Sequence, residues 1–229
     1  MDGILPMDKP TGITSYDVIR QVKRLLPRNV KIGHAGTLDP FAGGVLLILL
    51  GKATKQFDEI QSWKKTYRAI ATLGATSDTL DSTGTIETKT TGNSHQVSRK
   101  ELNEVVKGFV GEIEQKVPAY AAAKYQGRKL YEYARKGVKI PEKKKVVMVY
   151  SIEVLDVADS EVEMRVVCSS GTYIRQLSYD ILQTLGIESY LSELEREAIG
   201  EIKLANCAQL SALTDEGMVR QRLLPVHGG

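Results

Sequence analysis

Six consecutive apolar residues, Val45-Leu46-Leu47-Ile48-Leu49-Leu50, stand between the pair Gly43-Gly44 and Gly51. The run is far shorter than the roughly 20 residues a membrane helix needs, and it reads as a fully buried strand. Such a strand demands packed structure around it. With 229 residues the chain has the means, since a chain of this size buries roughly 70% of its extended surface without staples. Two cysteines, Cys168 and Cys207, are too few for a disulfide scaffold and lack metal-ligand spacing, so a metal site is not expected. The opening MDGILPMDKP contains no apolar signal core, which points to the cytoplasm.

Capping and periodicity set the neighbouring elements. Ser15 is expected to cap a helix with Val18, Val22, Leu25 and Leu26 on one face, ended by Pro27. Tyr67 to Leu73 reads as a strand. Ser98 and Glu101 form a capping box ahead of Leu102, Val105 and Val106. Leu130 to Lys136 predicts a short helix stopped by Gly137. Lys145–Val157 and Glu161–Cys168 predict a hairpin, and Ile174 to Leu185 a helix closed at Gly186. No βαβ rhythm runs through these elements. The expected class is therefore α+β, with a mixed, mainly antiparallel central sheet flanked by helices and loops. No linker marks a second domain, so residues 1–229 read as one, with 117–145 projecting as an arm.

That arm is where the charge concentrates. Nine basic residues (Lys124, Arg128, Lys129, Arg135, Lys136, Lys139, Lys143, Lys144 and Lys145) face only Glu132 and Glu142, giving +7 in a chain whose net charge is +3. Tyr120, Tyr125, Tyr131 and Tyr133 are interleaved with them. Cations neutralise phosphates and aromatic faces stack on unpaired bases, so the composition suits single-stranded or looped RNA. A solvated basic loop is the plainer reading, but it gains nothing from four large rings.

Two stretches hold the chemical candidates. In His34-Ala35-Gly36-Thr37-Leu38-Asp39-Pro40-Phe41-Ala42-Gly43-Gly44 the glycines permit close backbone approach, and Asp39 precedes a proline that restricts the chain. Asp39 is either an aimed carboxylate or the cap of a short helix with Pro40 at its first position. In Ser169-Ser170-Gly171-Thr172-Tyr173-Ile174-Arg175, Arg175 falls in a first helical turn, where the helix dipole disfavours a cation; pairing with an acid would account for it. Alone, His34 reads as a satisfied loop histidine and Cys168 as a buried small hydrophobe. His95 and His227 are isolated, and no phosphate loop, GxGxxG or GxSxG is present.

The blocks His34–Lys55, Lys65–Gly84, Ala122–Gly137 and Ser169–Ile181, in that order behind Asp8-Lys9-Pro10, resemble the TruB family of bacterial tRNA pseudouridine(55) synthases over essentially the whole chain. The resemblance implies a pseudouridine synthase fold and an isomerase, an intramolecular transferase that converts the T-loop uridine of tRNA to pseudouridine by base flipping, without cofactor or metal. Carried onto this sequence, it makes Asp39 the catalytic aspartate. Tyr67 becomes the tyrosine that stacks on the target base and is implicated in proton removal from C5. Arg175 becomes the arginine paired with the catalytic carboxylate, and Asp81 an acid linked to that arginine. Lys9 and Pro10 support the catalytic loop, Tyr173 lines the pocket, and His34 holds the T-loop open. RNA contacts are expected from Lys124, Tyr125, Arg128, Lys129, Lys143, Lys144 and Lys145.

The partner implied is the T-arm of tRNA, bound by a monomer with no membrane involvement. Three departures accompany the resemblance. Such proteins usually continue into a small C-terminal RNA-binding domain of the PUA type, whereas this sequence stops at Gly229. Tyr120-Ala121-Ala122-Ala123 lacks a serine usual after the tyrosine, and Leu194-Glu195-Arg196-Glu197 is more acidic than the usual form. Other readings are a tRNA-binding or folding chaperone with little catalysis, and a guide-RNA-dependent relative.

Overall fold

The apolar run is buried along its whole length because its two faces enter two different cores. A computed structural model of the chain describes residues 1–88, 97–121, 124–134, 137–138 and 141–225. Of the residues singled out above, Ala122, Ala123, His95, Arg135, Lys136, Lys139 and His227, and the side chains of Lys124, Lys129 and Tyr131, lie outside the described residues. The chain divides into two compact units, Met1–Tyr67 with Leu194–Gly229, and Arg68–Glu193.

The first unit opens with β1 (Gly3–Lys9), α1 (Ser15–Arg24), β2 (Ile32–Ala35), β3 (Gly43–Leu50), α2 (Phe57–Ser62) and the start of β4 (Lys65–Leu73). The second unit continues β4 and adds β5 (Ala75–Ser77), β6 (Ile86–Thr88), α3 (Arg99–Val105), β7 (Gly111–Lys116), β8 (Lys124–Tyr125) and β9 (Arg128–Lys129). It goes on through α4 (Leu130–Ala134), β10 (Lys144–Val157), β11 (Glu161–Cys168), α5 (Ile174–Thr184) and the first half of β12 (Ser189–Ile199). The end of β12, β13 (Ile202–Lys203), β14 (Ala208–Gln209) and α6 (Glu216–Gln221) belong to the first unit. Both boundaries fall inside strands, β4 and β12, where no linker composition could mark them.

In the first unit β3 pairs antiparallel with β1, from Gly3↔Leu50 to Lys9↔Gly44. It also pairs antiparallel with β2 and parallel with β12 at Gly43 and Gly44, while β14 joins β1 in parallel. Side chains alternate across a strand. Leu46, Ile48 and Leu50 accordingly meet Leu5, Met7 and the Val18, Ile19 and Val22 face of α1. Val45, Leu47 and Leu49 meet Ile4, Ala35, Ile60 and Ile199 on the opposite side. Polar residues on either face would leave one core unfilled.

The cap of α1 lies one residue earlier than expected. Thr14, in an extended conformation, and Asp17 form the reciprocal box that satisfies the free N–H groups of the first turn. Ser15 is thereby released for another bond, described below. Its helix ends at Arg24 rather than at Pro27.

In the second unit the strand order is β4, β11, β10, β7. The expected hairpin forms, with Val157 opposite Val162 and the Ala158 N–H donating to the Glu161 carbonyl at 2.9 Å. Ser98 and Glu101 cap α3 reciprocally, as their spacing predicts. The 117–145 segment leaves β7 and returns at β10 with its ends tied together. Lys116 pairs with Lys144 in register, Val117 N donates to the Lys143 carbonyl at 2.8 Å, and Lys116 bridges Glu142 at 2.7 Å. Between those ends lie the β8–β9 ribbon, which pairs Lys124 with Lys129, and α4. Among the strand pairs with described register only β1–β14 and β3–β12 are parallel, so the pairing is mixed and mainly antiparallel.

Candidate active site

Asp39 sits in the connection from β2 to β3. It does not cap a helix: the Ala42 N–H donates to the Asp39 carbonyl at 3.1 Å, closing a turn with Pro40 at its second position, where a fixed φ near −65° suits the turn. The carboxylate-bearing residue is half-buried and Pro40 is exposed. Side chains and backbone groups from other elements anchor this connection. Ser15 Oγ donates to the Leu38 carbonyl at 3.2 Å and accepts from the Leu38 N–H at 3.0 Å. The Gly12 N–H donates to the Pro40 carbonyl at 2.7 Å, and the Gly36 N–H to Gln61 Oε1 at 2.8 Å. A carboxylate that must meet one atom of a substrate needs such a rigid mount.

Lys9 is a further anchor. Its side chain is fully buried and its ammonium donates to the carbonyls of Ile13 (2.7 Å), Pro10 (2.9 Å) and Pro40 (3.5 Å). Burial pushes its pKa down to about 8, the nearby Arg196 cation adds to that, and Asp39 and Asp17 oppose it. His34, on β2, is half-buried, and burial followed by the Arg196 charge holds its imidazole below the ordinary value, which favours the neutral ring at pH 7. Its Nδ1 is buried without a hydrogen-bond partner.

Arg196 on β12 is the residue that sequence reasoning missed. Its side chain is 1% exposed. Nε donates to the Val45 carbonyl at 2.7 Å, Nη2 to the Gly36 carbonyl at 2.6 Å and Nη1 to the Tyr67 hydroxyl at 3.3 Å. One guanidinium thus joins the two ends of the Asp39 connection to Tyr67. Gly44, at φ +98°, lets β12 approach: a Cβ there would lie 2.4 Å from the Arg196 carbonyl oxygen. The stretch around Arg196 is more acidic than the usual form of the family, yet the arginine itself is internal. Alternation carried the signal, because Leu194 and Arg196 are buried while Glu195 and Glu197 are half-exposed. Tyr67 is itself 8% exposed.

The second unit holds Arg175 and Asp81. They form a buried ion pair at 2.9 Å, with side chains 4% and 3% exposed. Arg175 also donates to the carbonyls of Thr79 (3.2 Å) and Tyr120 (2.9 Å). The other Asp81 oxygen accepts from Thr79 Oγ1 at 2.8 Å and from the Thr83 N–H at 2.9 Å. Asp81 is thus an acid that meets the need set by the first-turn position of Arg175. Asp39 belongs to the other unit. Tyr173, directly before α5, is clamped through its backbone by Gln115, whose amide accepts from its N–H at 2.8 Å and donates to its carbonyl at 3.0 Å. A cleft of about 220 Å³ opens beside this network, walled by Asp78, Thr79, Tyr120, Gln176 and Tyr179.

On the basic segment, Lys143 Nζ lies 5.0 Å from the centroid of Tyr125, whose ring meets Tyr133 edge-on at 5.9 Å. Lys144 bridges Glu114 at 3.2 Å, and Arg128 and Lys145 are exposed. Among the described residues no group of His, Cys, Asp and Glu could hold a metal ion, and no helix is long and apolar enough to cross a membrane.

Residues 23–174 match the model of the "TruB family pseudouridylate synthase (N terminal domain)". The chain is 42% identical over 226 residues to the "tRNA pseudouridine synthase B" of Clostridium kluyveri, covering 99% of this chain and 76% of that protein. It is 40% identical over 230 residues to the protein of the same name from Dehalococcoides mccartyi, with the same coverage. Among solved structures it resembles a chain of "a Cbf5-Nop10-Gar1 Complex" with TM-score 0.69 and 31% identity, covering 92% of this chain and 53% of that one. A chain of an "H/ACA RNP bound to a substrate RNA containing 2'-deoxyuridine" gives 0.67 and 29%, with 92% and 52% covered. The present chain spans about half the length of these solved chains. Its fold is that of the pseudouridine synthases, and the chain belongs to the TruB family.

Proposed function

We propose that the protein isomerises the T-loop uridine of tRNA, at position 55, to pseudouridine, acting in the cytoplasm as a monomer with Asp39 as the catalytic carboxylate. One observation carries the site assignment. A half-buried aspartate stands on a turn held by Ser15, Lys9 and Gly12, and the same connection is tied by Arg196 to Tyr67.

The chemistry asks for that arrangement. The N1–C1′ bond breaks, the uracil turns, and C5 bonds to C1′, so every atom and electron is retained. Asp39 acts on the ribose as nucleophile or base, and the family resemblance assigns Arg175, with Asp81, to its electrostatic frame. Extruding a base from a folded loop costs on the order of a few kcal/mol. Phosphate contacts from the basic segment and stacking on rings such as Tyr125, worth roughly 1–3 kcal/mol per base, offset that cost.

The test is isomerisation of uridine in a purified T-arm stem-loop, with no other RNA or protein added. Product is expected at substoichiometric enzyme. Tight binding without product would instead favour a folding chaperone, and product only with added guide RNA a guide-dependent enzyme. A second outcome concerns the arm. Neutralising Lys143, Lys144 and Lys145 together should weaken binding and reduce the slope of log K against log salt by about 0.7 for each phosphate that is no longer neutralised. Lys144 already serves Glu114, so its share should be the smaller. An unchanged slope would place the RNA elsewhere.

A further inference from the structure

A fully buried cation normally faces a carboxylate, because removing a charge from water without a counter-charge is expensive. Arg196 in the first unit is hydrogen-bonded instead to neutral groups, as the buried Lys9 is. The Arg196 side chain is 1% exposed, and the acceptors it donates to are the carbonyls of Gly36 and Val45 and the hydroxyl of Tyr67. Of these three, only the phenol can become an anion. The guanidinium carbon also stands 5.8 Å from the centroid of the Tyr67 ring, so the charge acts on the ring as well as on its oxygen. Donation from Nη1 occupies a lone pair of the phenol oxygen and fixes the ring's direction.

We propose that Arg196 is a positioning residue for proton transfer at Tyr67: its guanidinium orients the phenol and stabilises the phenolate, the form able to remove the proton from C5. This rests on the synthase reading given above. When C5 joins C1′ it carries both the new bond and its original hydrogen. The Tyr67 phenolate takes that proton and the C5–H electron pair becomes the C5–C6 double bond. The C6–N1 double-bond pair moves to N1, which is protonated from solvent. Tyr67 then returns its proton to solvent before the next turnover. A buried phenol with no cation beside it would resist ionisation, since burial disfavours the charged form. The guanidinium reverses that preference locally, and its bonds to Gly36 and Val45 keep it in place while Tyr67 cycles.

The experiment titrates tyrosinate absorbance. The chain has ten tyrosines, so the signal of Tyr67 is the wild-type curve minus that of Tyr67→Phe. It is expected to titrate below the ordinary tyrosine value of about 10. In Arg196→Met the same difference should move up by at least about one pH unit, and the acid limb of kcat against pH should move with it. At neutral pH kcat should then fall about 100-fold with KM nearly unchanged, the usual size for removal of an acid–base contribution. Arg196→Lys, which keeps charge but cannot fork between Gly36, Val45 and Tyr67, should fall between the two. A Tyr67 that titrates at or above about 10 in the wild type overturns the proposal, and this arm needs no variant of Arg196 to fold. So does a folded Arg196→Met with an unmoved titration and pH profile. The titration uses no RNA, so failure of the synthase reading shows separately, as wild-type protein that makes no pseudouridine.

Discussion

Asp39→Asn is expected to lower pseudouridine formation by about 10⁴-fold or more while leaving the affinity for T-arm RNA nearly intact. The substitution is close to isosteric, and the bonds described at the turn are made by other groups. Leu38 is held by Ser15, Pro40 by Lys9 and Gly12, and Ala42 by the Asp39 backbone carbonyl. What changes is the charge and the nucleophile. An amide can neither attack nor deprotonate a ribose carbon at neutral pH, and removal of such a group from other enzymes costs rate on this scale. Single-turnover product formation measures the first quantity and filter binding of the same RNA the second. Turnover within tenfold of the wild type would remove Asp39 from the mechanism. Loss of binding in parallel with loss of rate would mean that the residue shapes the RNA site instead.

The second large effect is on stability. Asp81→Ala removes the carboxylate bonded to the Arg175 guanidinium at 2.9 Å, in a site where that side chain is 4% exposed, and it takes the acceptor from the hydroxyl of Thr79 and the N–H of Thr83. Breaking a buried pair from one side costs about 3–5 kcal/mol, because the remaining charge stays desolvated. In a chain of this size that corresponds to a fall in melting temperature on the order of 10 °C. Thermal unfolding followed by circular dichroism measures it, and a fall of less than about 2 °C would show that the pair relaxes into solvent. Arg175→Lys should also be impaired. An ammonium cannot serve Asp81 and the Thr79 and Tyr120 carbonyls with the geometry of a planar fork. The double variant, with Asp81→Asn and Arg175→Met, should recover part of the lost stability without recovering activity.

Much of the fold was legible residue by residue. The run Val45–Leu50 declared a central strand because an element with both faces in cores has no place for polar side chains. The Ser98–Glu101 spacing located the start of α3, and the alternation on either side of Ala158–Ser160 located the hairpin. Where local reading slipped, two local solutions competed. Thr14 and Ser15 are both good caps, and only the demand of Leu38 for a hydroxyl decided that Thr14 caps α1. Asp39-Pro40 suits a helix start and a turn alike. The strand that follows two residues after Phe41 leaves room only for the turn.

Arg196 shows the limit most plainly. A charged residue between two glutamates reads as surface, because charge is rarely buried. Its burial depends on β12 running beside β3, on Gly44 leaving room, and on carbonyls of Gly36 and Val45 converging from a segment about 150 residues away in the chain. By itself, then, the sequence determined the buried strand, the α+β class, the caps, the basic segment and, through its motifs, the family. Those features are set by side-chain chemistry at short range, where period and spacing carry the information. Tertiary structure decided which donors hold the Asp39 turn, and that a guanidinium rather than a hydrophobe backs Tyr67. Each of these depends on groups far apart in the chain arriving within about 3 Å of one another, and the free energy of that encounter is a property of the packed whole.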